Sequence, residues 1–416
     1  MKNEPHTESP RRGRTRRAAR YVYTVVMLLC ALPLIAQVGS GAGEGTRFYR
    51  DGRSWVEETS GTMTPARNLK VSTDCGNMHV QGGGAQTIRY VIKKRSYVSS
   101  EADARKQFER YRITATRNSD TAVIEGRWTN GRSERFSTDI TVEVPRDMTL
   151  VHLDTRGGNL GVNGTTARVE LDTQGGNVVV DDVGSVRVNT QGGNVTADMV
   201  HGDTQINSGG GNIRIGDSQG KGEINTAGGN VTVKNLAWGS IQTGGGSIQV
   251  GQSRGDLTAE TGGGSIDVNE VQGTAKLQTG GGNIRLGSAR GHVMASTGGG
   301  SIEMWKLYQG AQAQTGAGAI TAEFLGGKGA SSSSVLRTAA GDVIVYVGSG
   351  VPCTIHASAE MASGQGIRSE FSDIKITSEG GTYGPRSVSA EGAINGGGTP
   401  IKIRTTIGQI DIRKAR

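Results

Sequence analysis

Between residues 151 and 325, apolar and polar positions recur with a period of 17 or 18 residues. Aligned on the Thr or Ser that precedes a run of glycine, ten copies begin at Thr155, Thr173, Thr190, Ser208, Thr226, Thr243, Thr261, Thr279, Thr297 and Thr315. Two residues before that anchor stands an apolar side chain, as in Leu153, Leu171, Val188, Ile206 and Ile241, with Ala259, Ala295 and Ala313 in three copies. Five residues after it comes another, such as Leu160, Val178, Ile213 or Ile266, and seven after it a third, such as Val162, Ile215, Val250 or Leu286. The positions between these are mostly polar. Alternation at period 2 predicts short strands with one buried face, and the lack of a helical run predicts that successive strands stack in parallel, one per coil. A short period repeated this often is the pattern of a solenoid. The expected fold class is all-β, a single-chain parallel β-solenoid of about 18 residues per coil with a small α+β N-terminal cap.

The flanks read differently. Residues 41–150 hold alternating runs such as QTIRYVIKK, TAVIEGRW and TDITVEV, separated by SSEADARKQFERY. In that last stretch Ser99 or Ser100 can cap a helix, and Phe108 and Tyr111 share one of its faces. This region is expected to be the α+β cap, residues 151–325 the ten regular repeats, and residues 326–416 irregular final coils and a C-terminal cap. A stretched copy surrounds Thr338, and IKIRTTIGQIDIRK near the C-terminus reads as a last one. Caps are required because an open end exposes unpaired strand backbone.

The residue three after the anchor is glycine in all ten copies, from Gly158 to Gly318, and the one before it is glycine in all but the last, where Ala317 stands. The expectation is a sharp corner at the same place in every coil, with glycine supplying positive φ. The following residue is Asn or Ser in nine copies, as in Asn159, Asn177 and Ser247, and stacked copies would form hydrogen-bonded ladders. A phosphate-binding loop is excluded: it needs Gly-Lys-Ser/Thr, and Gly327-Lys328 continues into Gly329. Calcium-binding nonapeptides need a regular aspartate at half this period, which is absent.

Composition refines the picture. Only 34% of the 416 residues are hydrophobic and 4% aromatic, while 68 are glycine, so the core is assembled from small pieces. The net charge of +8 is concentrated in residues 1–20, which carry seven Lys or Arg against Glu4 and Glu8. The uncharged stretch YVYTVVMLLCALPLIAQV follows, so residues 1–40 read as an export signal, cleaved near Ala36, or as an N-terminal membrane anchor. Cys30 follows Leu29, where lipid attachment needs a small residue. The chain is therefore expected to be exported to the cell envelope (periplasmic or cell surface) or secreted. No nucleic-acid partner is expected, and membrane contact only through residues 21–38.

Candidate chemistry is sparse. The six histidines share no spacing, so no catalytic residue, metal or cofactor is assigned. Cys75 and Cys353 lie ten coils apart, roughly 50 Å at the interstrand spacing, and are expected to be free. Asp154 and Asp172 occupy the same place in neighbouring coils, about 5 Å apart, close enough to share a proton or a ligand. The row continues as Asn189, Asn207 and Asn225, a polar face with two acids in it. Trp305, Lys306 and Tyr308 form an aromatic-basic cluster that could stack on a sugar. The ligand-face candidates are thus Asp154, Asp172, Trp305 and Tyr308. Constant coil length leaves no room for the inserted loops that build an active cleft. A non-enzymatic envelope protein that binds a protein or glycan is expected; the alternative is a carbohydrate-binding or carbohydrate-cleaving β-helix using the Asp154/Asp172 face.

At TDITVEVPRDMTLVHLDTRGGNLGV, residues 138–163, the chain resembles a bacterial family of exported proteins known as putative adhesins, a domain of otherwise unknown function. The shared pattern is a strand ending in Val-Pro followed by Thr-x-Gly-Gly-x-Ile/Val repeats, and AEGAINGGGTPIKIRTTIGQIDI resembles that family's closing phrase. The resemblance covers about residues 65–416 and implies a β-solenoid at the cell envelope. It supplies no catalytic residue.

Overall fold

Leu257, Ala259 and Thr261 are buried while Thr258 and Glu260 take the other face; beyond the glycines, Ile266, Val268 and Val271 turn inward. Each repeat thus makes two strands, here Leu257–Thr261 and Ile266–Val271. Each strand pairs in parallel with its equivalents on both sides: Thr261 with Thr243 and Thr279, Ile266 with Ile248 and Ile284. We refer to each such pair of strands as a rung. The computed structural model describes residues 45–131, 135–326, 332–362, 365–379 and 386–415, which are all-β apart from the single helix Glu101–Arg110. Residues 1–40, read from the sequence as an export signal or N-terminal anchor, and Gly327-Lys328 lie outside the described residues. Among described residues from Val151 to Ala322 no buried side chain is aromatic: the two short strands of a rung enclose a narrow space, filled by Val, Ile, Leu and Ala with Met304 and Thr or Ser side chains, the anchors among them.

In the ten regular repeats the corner glycine serves a different purpose from the one expected, although Gly76, Gly341 and Gly408 at the ends of the same column do have positive φ. None of the glycines from Gly157 to Gly318 that follow the ten anchors at plus two or plus three has positive φ. What they provide is close approach. A Cβ on Gly246 would stand 2.0 Å from the carbonyl oxygen of Gly229 one rung earlier, and one on Gly264 would stand 2.1 Å from that of Gly246. The column runs from Gly76 through Gly158 and Gly318 to Gly341 and Gly408, each seated on the carbonyl before it. By contrast, Gly245 and Gly263, one residue earlier in their repeats, have nothing within 4 Å of an added Cβ.

The buried anchor completes this corner. Thr243 Oγ1 donates to the Gly229 carbonyl at 2.8 Å and accepts the Gly246 N–H at 3.2 Å. Backbone groups that the turn withdraws from the strand ladder are thereby satisfied inside the stack. Ser208 Oγ likewise accepts the Gly211 N–H, at 3.0 Å, so a hydroxyl without the methyl serves as the acceptor. Outside the corner, Asn159 Oδ1 accepts the N–H of Asn177, and Asn177 Oδ1 that of Asn194, an amide column that closes one backbone donor per rung. Replacing Thr243 by valine keeps the shape and strands both partners, at about 1–3 kcal/mol each. Thr243→Ser loses one methyl, about 1 kcal/mol. Hydrogen exchange at the Gly246 amide should rise sharply in the valine variant and little in the serine one.

The stack begins before residue 151. Thr73-Asp74-Cys75-Gly76-Asn77-Met78 is a further copy of the motif, and its strands Asn68–Thr73 and Asn77–Gly83 pair in parallel with Leu150–Thr155 and Leu160–Thr173. Asn77 Oδ1 accepts Asn159 N–H at 2.9 Å, the same bond that Asn159, Asn177, Asn194 and Asn212 make in the rungs that follow. The boundary drawn at 150 therefore passes inside the stacked region. Beyond this rung lie Thr121–Trp128 and Phe136–Pro145, also parallel to it. Antiparallel strands Ser54–Met63 and Ile88–Ser96 and the helix then close the end. Phe108, Tyr111 and Phe136 pack there with Trp55 and Trp128 in a separate aromatic core. Ser100 precedes the helix without a side-chain capping bond.

The other end is built the same way. Thr338 pairs with Thr315, and Thr405 with Thr338, so Ser334–Ala340 and Thr399–Ile407 continue the ladder. Outside Thr399–Ile407 sits Cys353–Ala362, an earlier stretch of chain. At both ends, then, the outermost rung comes from a segment that loops out, while the chain threads back beneath it.

Candidate functional site

Residues immediately before, at and after the anchors line a groove of about 1200 Å³ that crosses nine consecutive rungs, from that of Asp154 to that of Ser296. It exists because the residue before each buried anchor must face outward and is polar in every rung. Asp154 and Asp172 head this row as direct register partners on adjacent strands. Asp172 Oδ1 accepts Asn189 Nδ2 at 2.8 Å, Asn189 Oδ1 accepts Asn207 Nδ2 at 3.1 Å, and Asn207 Oδ1 accepts Asn225 Nδ2 at 3.2 Å. Gln242, Glu260 and Gln278 extend the row, with Glu260 bound to Lys276 Nζ at 2.6 Å. Along the other margin the residue after the anchor shrinks from Arg156, Gln174 and Gln191 to Gly209, Ala227 and Gly244. Arg156 is within 3.6 Å of Asp74.

Two residues that the sequence reading passed over belong beside the aspartates. His152 and Glu170 lie two positions before Asp154 and Asp172 on the same strands, are register partners, and approach to 3.5 Å. The period-2 alternation that buried Leu153 and Leu171 was the signal for them. Histidine and cysteine are absent from the groove lining itself. Among the described residues no group of three or more His, Cys, Asp or Glu is arranged to hold a metal ion.

The structure does not bring Trp305 and Tyr308 to this groove. They follow the corner, on the strand Ile302–Leu307 and just beyond it. The Trp305 ring is half-buried, 5.8 Å from the Tyr346 ring, and Arg290 covers Tyr308 at 5.7 Å. Lys306 sits in a left-handed conformation, φ 50°, at a break in strand register. This cluster lies on the outer surface near the C-terminal end, across the rungs from that of Thr279 to that of Thr338.

Among the described residues, neither Cys75 nor Cys353 is in a disulfide. Burial pushes the Cys353 thiol from its ordinary value of 9.0 up to about 11. The folded state therefore favours the protonated thiol. That contribution to stability is intact below pH 9 and is lost as pH rises toward 11. At pH 8, alkylation of Cys353 should proceed only through opening of the C-terminal region, with a rate that increases in step with denaturant; a rate equal to that of a free thiol in native buffer would contradict its burial.

No helix among the described residues is long and apolar enough to cross a membrane. No family model matches the chain, and no curated protein matches it. Among solved structures it is similar to a putative cell adhesion protein from Clostridium sporogenes ATCC 15579, at 9% identity and TM-score 0.18 over 86% of this chain and 100% of that one. A putative adhesin from Bacteroides fragilis NCTC 9343 matches at 10% identity and TM-score 0.20 over 86% and 97%. A putative lipid binding protein from Parabacteroides distasonis ATCC 8503 matches at 12% and 0.26 over 65% and 89%.

Proposed function

We propose that this chain is a non-enzymatic β-solenoid of the cell envelope or cell surface, delivered through residues 1–40, that uses one long polar face for adhesion or for holding partners. The observation that carries this reading is the groove: nine rungs in continuous register present one row of polar side chains with no inserted loop. Such a face suits an extended ligand held by many weak contacts, and it lacks the enclosed, water-excluding pocket that catalysis favours. The rigid stack and its closed ends fit a protein that must persist outside the cytoplasm.

The test is protease accessibility of an epitope-tagged chain on intact cells, with attachment of those cells to immobilised matrix scored in parallel. Cleavage of the repeats from outside, together with attachment lost on deleting the gene, supports surface adhesion. Protection until the envelope is breached sinks adhesion and leaves an internal scaffold. The enzymatic alternative is answered by incubating the purified chain with polysaccharides: release of new reducing ends that disappears in Asp154→Ala/Asp172→Ala would replace the binding reading with a catalytic one.

A further inference from the structure

Resting on that binding reading, we propose that the groove takes a linear, uncharged polysaccharide lying along the stack axis. Three features of the lining select this class. First, its amides are half used. Asn207 gives one N–H to Asn189 and one lone pair to Asn225, leaving one donor and one acceptor, and Asn189 repeats this between Asp172 and Asn207. A sugar hydroxyl both donates and accepts, so it completes such a carboxamide without leaving either partner unmatched. A carbonyl or an ammonium would complete only half.

Second, the charge is wrong for polyanions. Asp154, Asp172 and Glu260 line the groove, while its basic residue Arg156 faces Asp74 and the nearby Lys276 holds Glu260. Phosphodiester or uronate chains meet carboxylates with no run of free cations to offset them. An extended peptide is disfavoured for another reason. Peptides dock by adding to an open strand edge, and here the backbone donors are spent in pairing rung to rung.

Third, the dimensions fit a regular polymer. Nine rungs at about 4.8 Å give a groove roughly 40 Å long. A pyranose chain advances by about one rung spacing per ring, so equivalent side chains meet equivalent hydroxyls. The margin of Gly244, Gly262 and Gly280 leaves flat backbone surface where a ring can lie.

The experiment uses the full chain, with cellohexaose and a soluble mixed-linkage β-glucan as neutral probes and polygalacturonate as the charged one, read by titration calorimetry and by retardation in glucan-containing native gels. Ala227→Arg places a long side chain across the groove from a position that is already exposed, and Asn225→Ala removes a row amide. The double variant should lose at least tenfold in neutral-glucan affinity. Gln249→Arg, exposed on the other strand, should lose none. Thermal melts within a few degrees of the parent establish that the variants fold. Absence of neutral-glucan binding, preference for polygalacturonate, or binding unaffected by the double variant each overturns the inference. Attachment of cells that persists in the double variant overturns it as well, while leaving the adhesion reading in place.

Discussion

Gly246→Ala is expected to destabilise the central rungs by about 3–5 kcal/mol, whereas Gly245→Ala one residue away changes stability by no more than about 0.5 kcal/mol. The added methyl at 246 would stand 2.0 Å from the Gly229 carbonyl oxygen and 2.5 Å from its carbon. Neither is the end of a flexible side chain. Relief requires prising two rungs apart, and that carbonyl also receives the Thr243 hydroxyl at 2.8 Å, so the buried polar column is broken as well. At 245 an added Cβ meets nothing within 4 Å, and φ is not in the left-handed region. Alanine there even reduces the freedom of the unfolded chain. Thermal melts and hydrogen exchange across rungs 226–271 provide the comparison. Equal damage from both substitutions would falsify the close-approach account and restore backbone conformation as the reason for the glycines.

That contrast marks how far the sequence could be read. The anchors, the buried positions at minus two, plus five and plus seven, and the outward row that became the groove were all legible, because each follows from a period of two within a period of about 18. Asp154 and Asp172 fell on neighbouring strands for the same reason. The role of Gly158 or Gly246 was not legible. A glycine needed for φ and one needed for proximity leave the same letter, and only the stacked carbonyl tells them apart. The rung at Thr73 was hidden by the insertion of residues 84–149 between it and Thr155, which breaks the period although the motif Thr-x-x-Gly-Asn survives. His152 and Glu170 were missed because histidines were compared with one another and not with their rung neighbours. Trp305 pairs with Tyr346, 41 positions on, beyond the regular repeats, so no periodic signal linked them.

Removing residues 399–416 is expected to have the largest effect of all, and a local one. The strands Thr399–Ile407 and Ile410–Lys414 lie between two others, pairing with Ser334–Ala340 and Val343–Val347 on one side and with Cys353–Ala362 and Ile367–Ser369 on the other. Ile401, Ile403, Ile410 and Ile412 are each at most 3% exposed, so their loss forfeits roughly 6–12 kcal/mol of gross burial before ordering entropy is deducted. Two consequences follow. Residues 353–398 lose the strands they rest on and should become sensitive to limited proteolysis. Val343–Val347, whose sequence VIVYV has neither charge nor proline, becomes an open edge able to template pairing between chains. Light scattering should show concentration-dependent oligomers, and Ile344→Lys in the truncated chain should suppress them without restoring protease resistance. Because each rung contacts only its neighbours, amides in rungs 155–261 should keep their protection throughout. A truncated chain that stays monomeric and protease-resistant would show that the threaded strands do not close this end.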